Sequence, residues 1–144
     1  MNVNNVTTVV RILQQKHPGL VLCGSVALIL LKVLPIRVIG DVDFVTNDKN
    51  IVNKLLLKQD SYSQEENEGY TSFSGYYMSH KINVLLFENN TEFNTEIIDQ
   101  HDYSILSQRV SDMLYWKEKY NRPKDLSDLD AIALNMLEKA VFDK

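Results

Sequence analysis

Apolar residues recur along this chain at two spacings, and the spacings divide it into elements. Val6, Val9, Val10 and Leu13 fall three or four apart, which predicts a helix over residues 6–16. Pro18-Gly19 ends it. "LVLCG" (20–24) is an unbroken apolar run that reads as a short buried strand stopping at Gly24. Residues 25–34 are apolar nearly all round, the mark of a buried helix, and Pro35 closes it. "RVIGDVDFV" (37–45) predicts a second strand, and Asn47-Asp48 opens an amphipathic helix to about Lys58. "QDSYSQEENEG" (59–69) is polar and acidic and reads as a surface loop. "YTSFSGYYMSHKINVLLFE" (70–88) predicts two strands joined near Ser79-His80. Residues 91–102 read as short helix or loop. Ile105, Val110, Met113, Leu114 and Tyr120 predict a helix to about Asn121, broken by "RPKD". A final helix carries Leu126, Leu129, Ile132, Ala133 and Leu137 on one face. The expected class is α/β (α+β), a small mixed sheet flanked by helices. One domain spans 1–144, with a core over about 18–90 and a C-terminal helical part over about 91–144.

Composition narrows the function classes. A net charge of −4 leaves no strong nucleic-acid footprint, because gripping a phosphate backbone needs a basic face. The longest apolar run, "VALILLKVLPI", is broken by Lys32 and too short to span a bilayer. A lone cysteine, Cys23, fits a reducing compartment, and the N-terminus lacks the basic start and apolar stretch of a signal peptide. A cytoplasmic protein without membrane contact is expected.

The chemistry concentrates in residues 22–45. Asp41 and Asp43 alternate with Val42 and Phe44, so on a strand both carboxylates share one face, about 6.6 Å apart along the strand. Like charges this close need a cation or a donor between them. Mg²⁺ (or Mn²⁺) suits the pair, since it takes one or two protein carboxylates plus substrate phosphates. The plain alternative is a solvated strand end. Gly24-Ser25, between a strand and a buried helix, offers backbone N–H groups and close approach to a phosphate, or simply a serine N-cap.

Taken together, "CGSVALILLKVLPIRVIGDVDFV" resembles the signature of the DNA polymerase β-type nucleotidyltransferase superfamily: an apolar residue, Gly-Ser, a helix, then Asp-x-Asp flanked by apolar residues. The long spacing and Arg37 resemble its AbiEii-type branch, which includes abortive-infection and toxin–antitoxin nucleotidyltransferases. "MLYWKEKYNRPKDLSDLDAIAL" is similar to that branch's C-terminal helices, with Lys117, Arg122, Lys124, Asp125 and Asp128 at the matching positions. The resemblance implies a Mg-dependent transferase that passes a nucleotidyl group from an NTP to a hydroxyl on a protein, a tRNA or a small molecule. It implies metal-holding and catalytic roles for Asp41 and Asp43, and nucleotide contacts at Gly24, Ser25, Arg37, Lys117 and Lys124.

One position departs from the family. Its third carboxylate sits on a neighbouring strand, and the candidate in "KINVLLFE" is Asn83. An amide can coordinate a metal but is a poor general base. A catalytically weak or inactive module, serving as regulator or protein partner, is therefore the alternative expectation. Among the remaining residues, Lys117 also reads as a solvated helix residue, and Asp125 and Asp128 as structural partners of Arg122 or Lys117. His17, His80 and His101 match no metal-ligand spacing. Cys23 reads as a small buried residue. The aromatics of "SGYYMS" read as a sheet surface or as a wall for a base, and Glu65, Glu66 and Glu68 as a solvated surface.

Overall fold

A computed structural model describes residues 3–55, 62–100 and 102–142. Among them the chain is a mixed α/β fold, seven strands in one sheet with five helices. The elements are α1 (Val3–Lys16), β1 (Val21–Cys23), α2 (Gly24–Leu30), β2 (Val42–Thr46), α3 (Lys49–Leu55), β3 (Ser63–Asn67), β4 (Tyr70–Tyr77), β5 (His80–Phe87), β6 (Thr95–Asp99), β7 (Ser104–Gln108), α4 (Val110–Tyr120) and α5 (Pro123–Phe142). The sheet order is β3-β4-β5-β2-β1-β7-β6. β1 and β2 lie at its centre; β1 is apolar and buried throughout, while β2 buries Val42, Phe44, Val45 and Thr46 and leaves Asp43 half-buried. β1 runs antiparallel to β2 and parallel to β7, while β2 runs parallel to β5.

The predicted apolar stripe of α1 is the one that is buried, with Val6, Val9, Val10 and Leu13 all at 0–1% exposure. Gln14 ties this helix to the sheet. Its amide donates to the carbonyls of Leu20 and Leu106, and its carbonyl accepts the Leu106 N–H. The hairpin β4–β5 turns at Met78 and Ser79, which both have positive φ, next to the expected place.

Four expectations need correction. The buried helix ends at Leu30 rather than running to residue 34, because Lys32 turns left-handed (φ 63°) and the Val33 and Leu34 amides fold back on the Leu28 carbonyl. The second strand begins at Val42, so residues 37–41 stand outside the sheet. In the acidic loop, residues 63–67 form strand β3. All five are exposed, so no burial pattern marks it, and its pairing with β4 makes it a strand. Residues 95–99 and 104–108 are strands rather than helix or loop. β7 is recruited by β1 across more than eighty residues of chain, a pairing that local periodicity does not encode. The parts of the expected third helix and acidic loop at 56–61 lie outside the described residues, as does His101.

The expected face of α5 is also revised. Leu126 and Leu137 are exposed, and the buried positions are Asp125, Asp128 and Ile132. Two aspartates are drawn inward because cations wait there. None of the described helices is long and apolar enough to cross a membrane.

Candidate functional site

The site is assembled at the C-terminal end of β1, the start of β2 and the neighbouring part of β5. Parallel pairing sets Asp43 opposite Asn83, and antiparallel pairing sets it opposite Cys23, so Gly24 follows directly beside the carboxylate. Asn83 bridges the two aspartates. Its amide nitrogen donates to Asp41 Oδ2 and to Asp43 Oδ1, both at 3.0 Å, and its carbonyl accepts the Ser74 hydroxyl at 2.5 Å. The donor that two crowded carboxylates require is thus a neutral amide. Lys81, on the exposed side, lies 3.8 Å from Asp41.

Burial pushes the Asp43 carboxyl above its ordinary value. The Asn83 hydrogen bond opposes this, the Asp41 charge adds to it, and Lys124 and Lys117 oppose it more weakly. Asn83→Asp is therefore expected to destabilise the protein by about 2 kcal/mol at pH 7 without a divalent cation, since it removes two donors and adds a third negative charge. A carboxylate whose folded pKa is raised destabilises when ionised, so the loss should shrink as pH falls through that raised value. Mn²⁺ should restore the stability. Urea melts of both forms with and without Mn²⁺ check this, and equal midpoints throughout would place residue 83 outside the carboxylate pair's influence.

Gly24 has φ +71°, and a Cβ on it would stand 2.4 Å from Asp43 Oδ2. The space expected for a phosphate at this Cβ position is filled by the Asp43 carboxylate, which packs on the glycine. Ser25 is not a helix cap. Its hydroxyl accepts a hydrogen bond from Arg37 Nη2 at 2.8 Å, while Arg37 Nη1 reaches Asp128 at 2.6 Å. Lys117 donates to Asp128 at 2.8 Å and lies 3.7 Å from Asp125, which in turn accepts from Arg122 at 2.7 Å. Asp125 and Asp128 therefore pair as expected for structural residues. Arg37 and Lys117 have their charges already engaged.

Lys124 is different. It is exposed and, among the described residues, has no carboxylate within ion-pairing distance.

Two adjoining cavities meet at this point. A cleft of about 370 Å³ contains Gly24, Ser25, Asp41, Asp43, Asn83 and both Lys117 and Lys124 on its lining. A second cavity of about 280 Å³ lies alongside, lined by Arg37 and Asp128 and sharing Ser25, Asp41, Asp43 and Lys124 with the first. Seven of the eight residues singled out from the sequence thus border the main cleft, and Arg37 borders the second.

The sequence reading missed the wall of the cleft. Trp116 and Tyr120, one helical turn apart on α4, stack with centroids 5.5 Å apart. Tyr70 and Phe87, a cross-strand pair, lie 5.3 Å apart, and Tyr70 meets Tyr120 edge-on. Burial, then the hydrogen bond with Tyr70, pushes the Tyr120 hydroxyl up to about 12, so it stays protonated. The available signals were the i, i+4 spacing of Trp116 and Tyr120 and the register of the hairpin. The "SGYYMS" aromatics contribute nothing here: Tyr76 is exposed and Tyr77 bonds Lys16 at 3.0 Å. Cys23 is buried, and burial raises its thiol well above the ordinary value, as suits an inert core residue.

The donor set fits a hard divalent cation only in part-filled form. Among the described residues no three His, Cys, Asp or Glu side chains gather around one point. Two carboxylates on one face of an open cleft suit Mg²⁺ or Mn²⁺ that draws its other ligands from water and phosphates. Asp41 and Asp43 would hold such a cation, and a half-turn of the Asn83 amide would offer it a carbonyl oxygen in place of the nitrogen that now donates to both carboxylates. Ser74 can then accept where it now donates, because a hydroxyl does both. No protein-family model and no curated protein matches this chain.

Proposed function

We propose that the cleft binds a nucleoside triphosphate with Mg²⁺ or Mn²⁺ and passes its nucleotidyl group to a hydroxyl acceptor, releasing pyrophosphate. The observation that carries this reading is convergence. A carboxylate pair, a glycine held against it, an uncommitted lysine and an aromatic wall come from separate elements onto one cleft. Asp41 and Asp43 would hold the cation, which neutralises charge developing on the phosphates. Lys124 at the mouth attracts the triphosphate, and Trp116, Tyr120 and Tyr70 offer ring faces and edges to a base. Lys117 and Arg37 act by positioning, since they hold α5 and Ser25 in place.

In the thermal-shift test, a nucleoside triphosphate with Mn²⁺ at a hundredfold excess over Kd should raise Tm by about 5 °C or more. Asp41→Asn with Asp43→Asn should abolish the shift while leaving the protein folded. A double variant that keeps the shift would remove the carboxylate pair from the reading. Transfer of labelled nucleotide to any acceptor then separates the transferase from a silent module.

That silent module is the second reading, and one contact favours it. Asn83 fills the gap between the carboxylates with a neutral donor and has no useful proton affinity near pH 7. A chain that binds nucleotide but transfers none would act as a regulatory or partner protein.

A further inference from the structure

Residues 36–40 lead from Pro35 into β2 without regular secondary structure. Their exposure nonetheless alternates. Ile36 is 81% exposed, Arg37 turns inward to Ser25 and Asp128, Val38 is 84% exposed and Ile39 is 4% exposed. That is the two-residue repeat of a strand. No peptide N–H or C=O of residues 36–40 is hydrogen-bonded to a described residue. The run is therefore a strand-like segment without a partner among the described residues, and its outward side chains, Ile36 and Val38, are apolar. Natural unpaired edges are usually blunted by charge or bulges, and this one carries neither on its outer side.

The segment also borders the second cavity, through Val38, Ile39 and Gly40. A Cβ on Gly40 would meet nothing within 4 Å, so the backbone there is open to approach. This cavity reaches Asp41 and Asp43 without the aromatic wall in its lining.

A covering partner must supply alternating donors and acceptors to the bare peptide groups and apolar contact to Ile36 and Val38. A polypeptide in extended form does both. A nucleic acid offers phosphates, and the Arg37 charge on this cavity is already paired with Asp128, its Nη2 donating to Ser25. That leaves Lys124 alone on a chain of net charge −4.

We propose that the acceptor is a polypeptide. It pairs its backbone with residues 36–40, packs apolar side chains on Ile36 and Val38, and presents a Ser, Thr or Tyr hydroxyl through the second cavity to Asp41 and Asp43. This rests on the nucleotidyltransferase reading for its chemistry and on the edge for its docking. In the transfer, the hydroxyl oxygen forms an ester bond to the α-phosphorus, the α–β phosphoanhydride bond breaks, pyrophosphate leaves, and the hydroxyl proton passes to water.

The test compares wild type with Ile36→Asp/Val38→Asp, both sites being open to solvent. The probe is a displayed library of ten-residue peptides centred on Ser, Thr or Tyr. Wild type should select peptides with β-branched or aromatic residues at alternate positions, and bound peptide should slow amide exchange across residues 36–40. The variant should bind the selected peptides at least about tenfold more weakly and keep the Mn²⁺-nucleotide thermal shift. Selection no better than background, equal affinity for the variant, or bulk tRNA whose binding depends on Ile36 and Val38 would each overturn the proposal. Peptide binding without any nucleotide shift would leave the docking edge standing and sink the transferase reading. A nucleotide shift without peptide binding would sink the docking alone.

Discussion

Replacing Gly24 by alanine is expected to cost about 3 kcal/mol of stability, a large part of the roughly 5–15 kcal/mol that holds a domain together. Two independent effects add. The backbone at Gly24 has φ +71°, which an L side chain adopts only under strain. The new Cβ would also stand 2.4 Å from Asp43 Oδ2 and 3.1 Å from Asp43 Cβ. The carboxylate cannot simply retreat, because Asn83 holds it at 3.0 Å and β2 is paired on both sides. Gly40→Ala is the control. With open space around it, it should stay within about 0.5 kcal/mol of wild type. Urea midpoints measure both. If Gly24→Ala melts with wild type, Asp43 does not pack on Gly24 as described.

Asp128→Ala should be as damaging, at about 3 kcal/mol or more. Asp128 is 1% exposed and is the only carboxylate within ion-pairing distance of Arg37 among the described residues. Removing it leaves Arg37 unpaired and leaves Lys117 with Asp125 at 3.7 Å. Asp128→Asn should recover part of the loss, since an amide oxygen still accepts one hydrogen bond.

The pH dependence carries its own sign. Burial alone would raise the Asp128 carboxyl, but hydrogen bonds from Arg37 and Lys117, and their charges, hold it below its ordinary value. A lowered folded pKa contributes stability above the unfolded pKa of about 3.9 and loses it as pH falls through the folded value. Wild type should therefore lose stability on that acid limb more steeply than Asp128→Ala. Parallel acid limbs in the two proteins would show that the Arg37–Asp128–Lys117 contacts add nothing net. Since Arg37 also holds Ser25 and turns inward beside the 36–40 edge, the same substitution should loosen both cavities' shared rim.

Much of the fold was legible from side-chain spacing. The stripe of α1, the apolar β1, the hairpin turn and the break at "RPKD" before the last helix all follow from local rules, because spacing and turn residues act within each element. The carboxylate pair was legible for a related reason: two-residue alternation into the start of β2 brings Asp43 and Asp41, the residue just before the strand, to one side, where Asn83 bonds both. The polarity of β3 and the irregular burial along β6 and β7 gave no such signal. Their pairing partners supply the hydrogen bonds, and those partners lie elsewhere in the chain.

By itself, then, the sequence determined the mixed α/β class, the adjacency of Gly24 to a strand end, and the shared face of the two aspartates. Local geometry suffices for each. The tertiary structure alone decided what stands between those aspartates, since β2–β5 register aims Asn83 at both. It decided that Gly24 yields its space to Asp43, that α5 buries Asp125 and Asp128 while exposing Leu126 and Leu137, and that residues 36–40 pair with none of the described strands. In each case the outcome depends on which groups meet across the sheet or between helices. A buried carboxylate is favourable only where Arg37, Lys117 or Arg122 reaches it, and no spacing along one element states where such a partner lies.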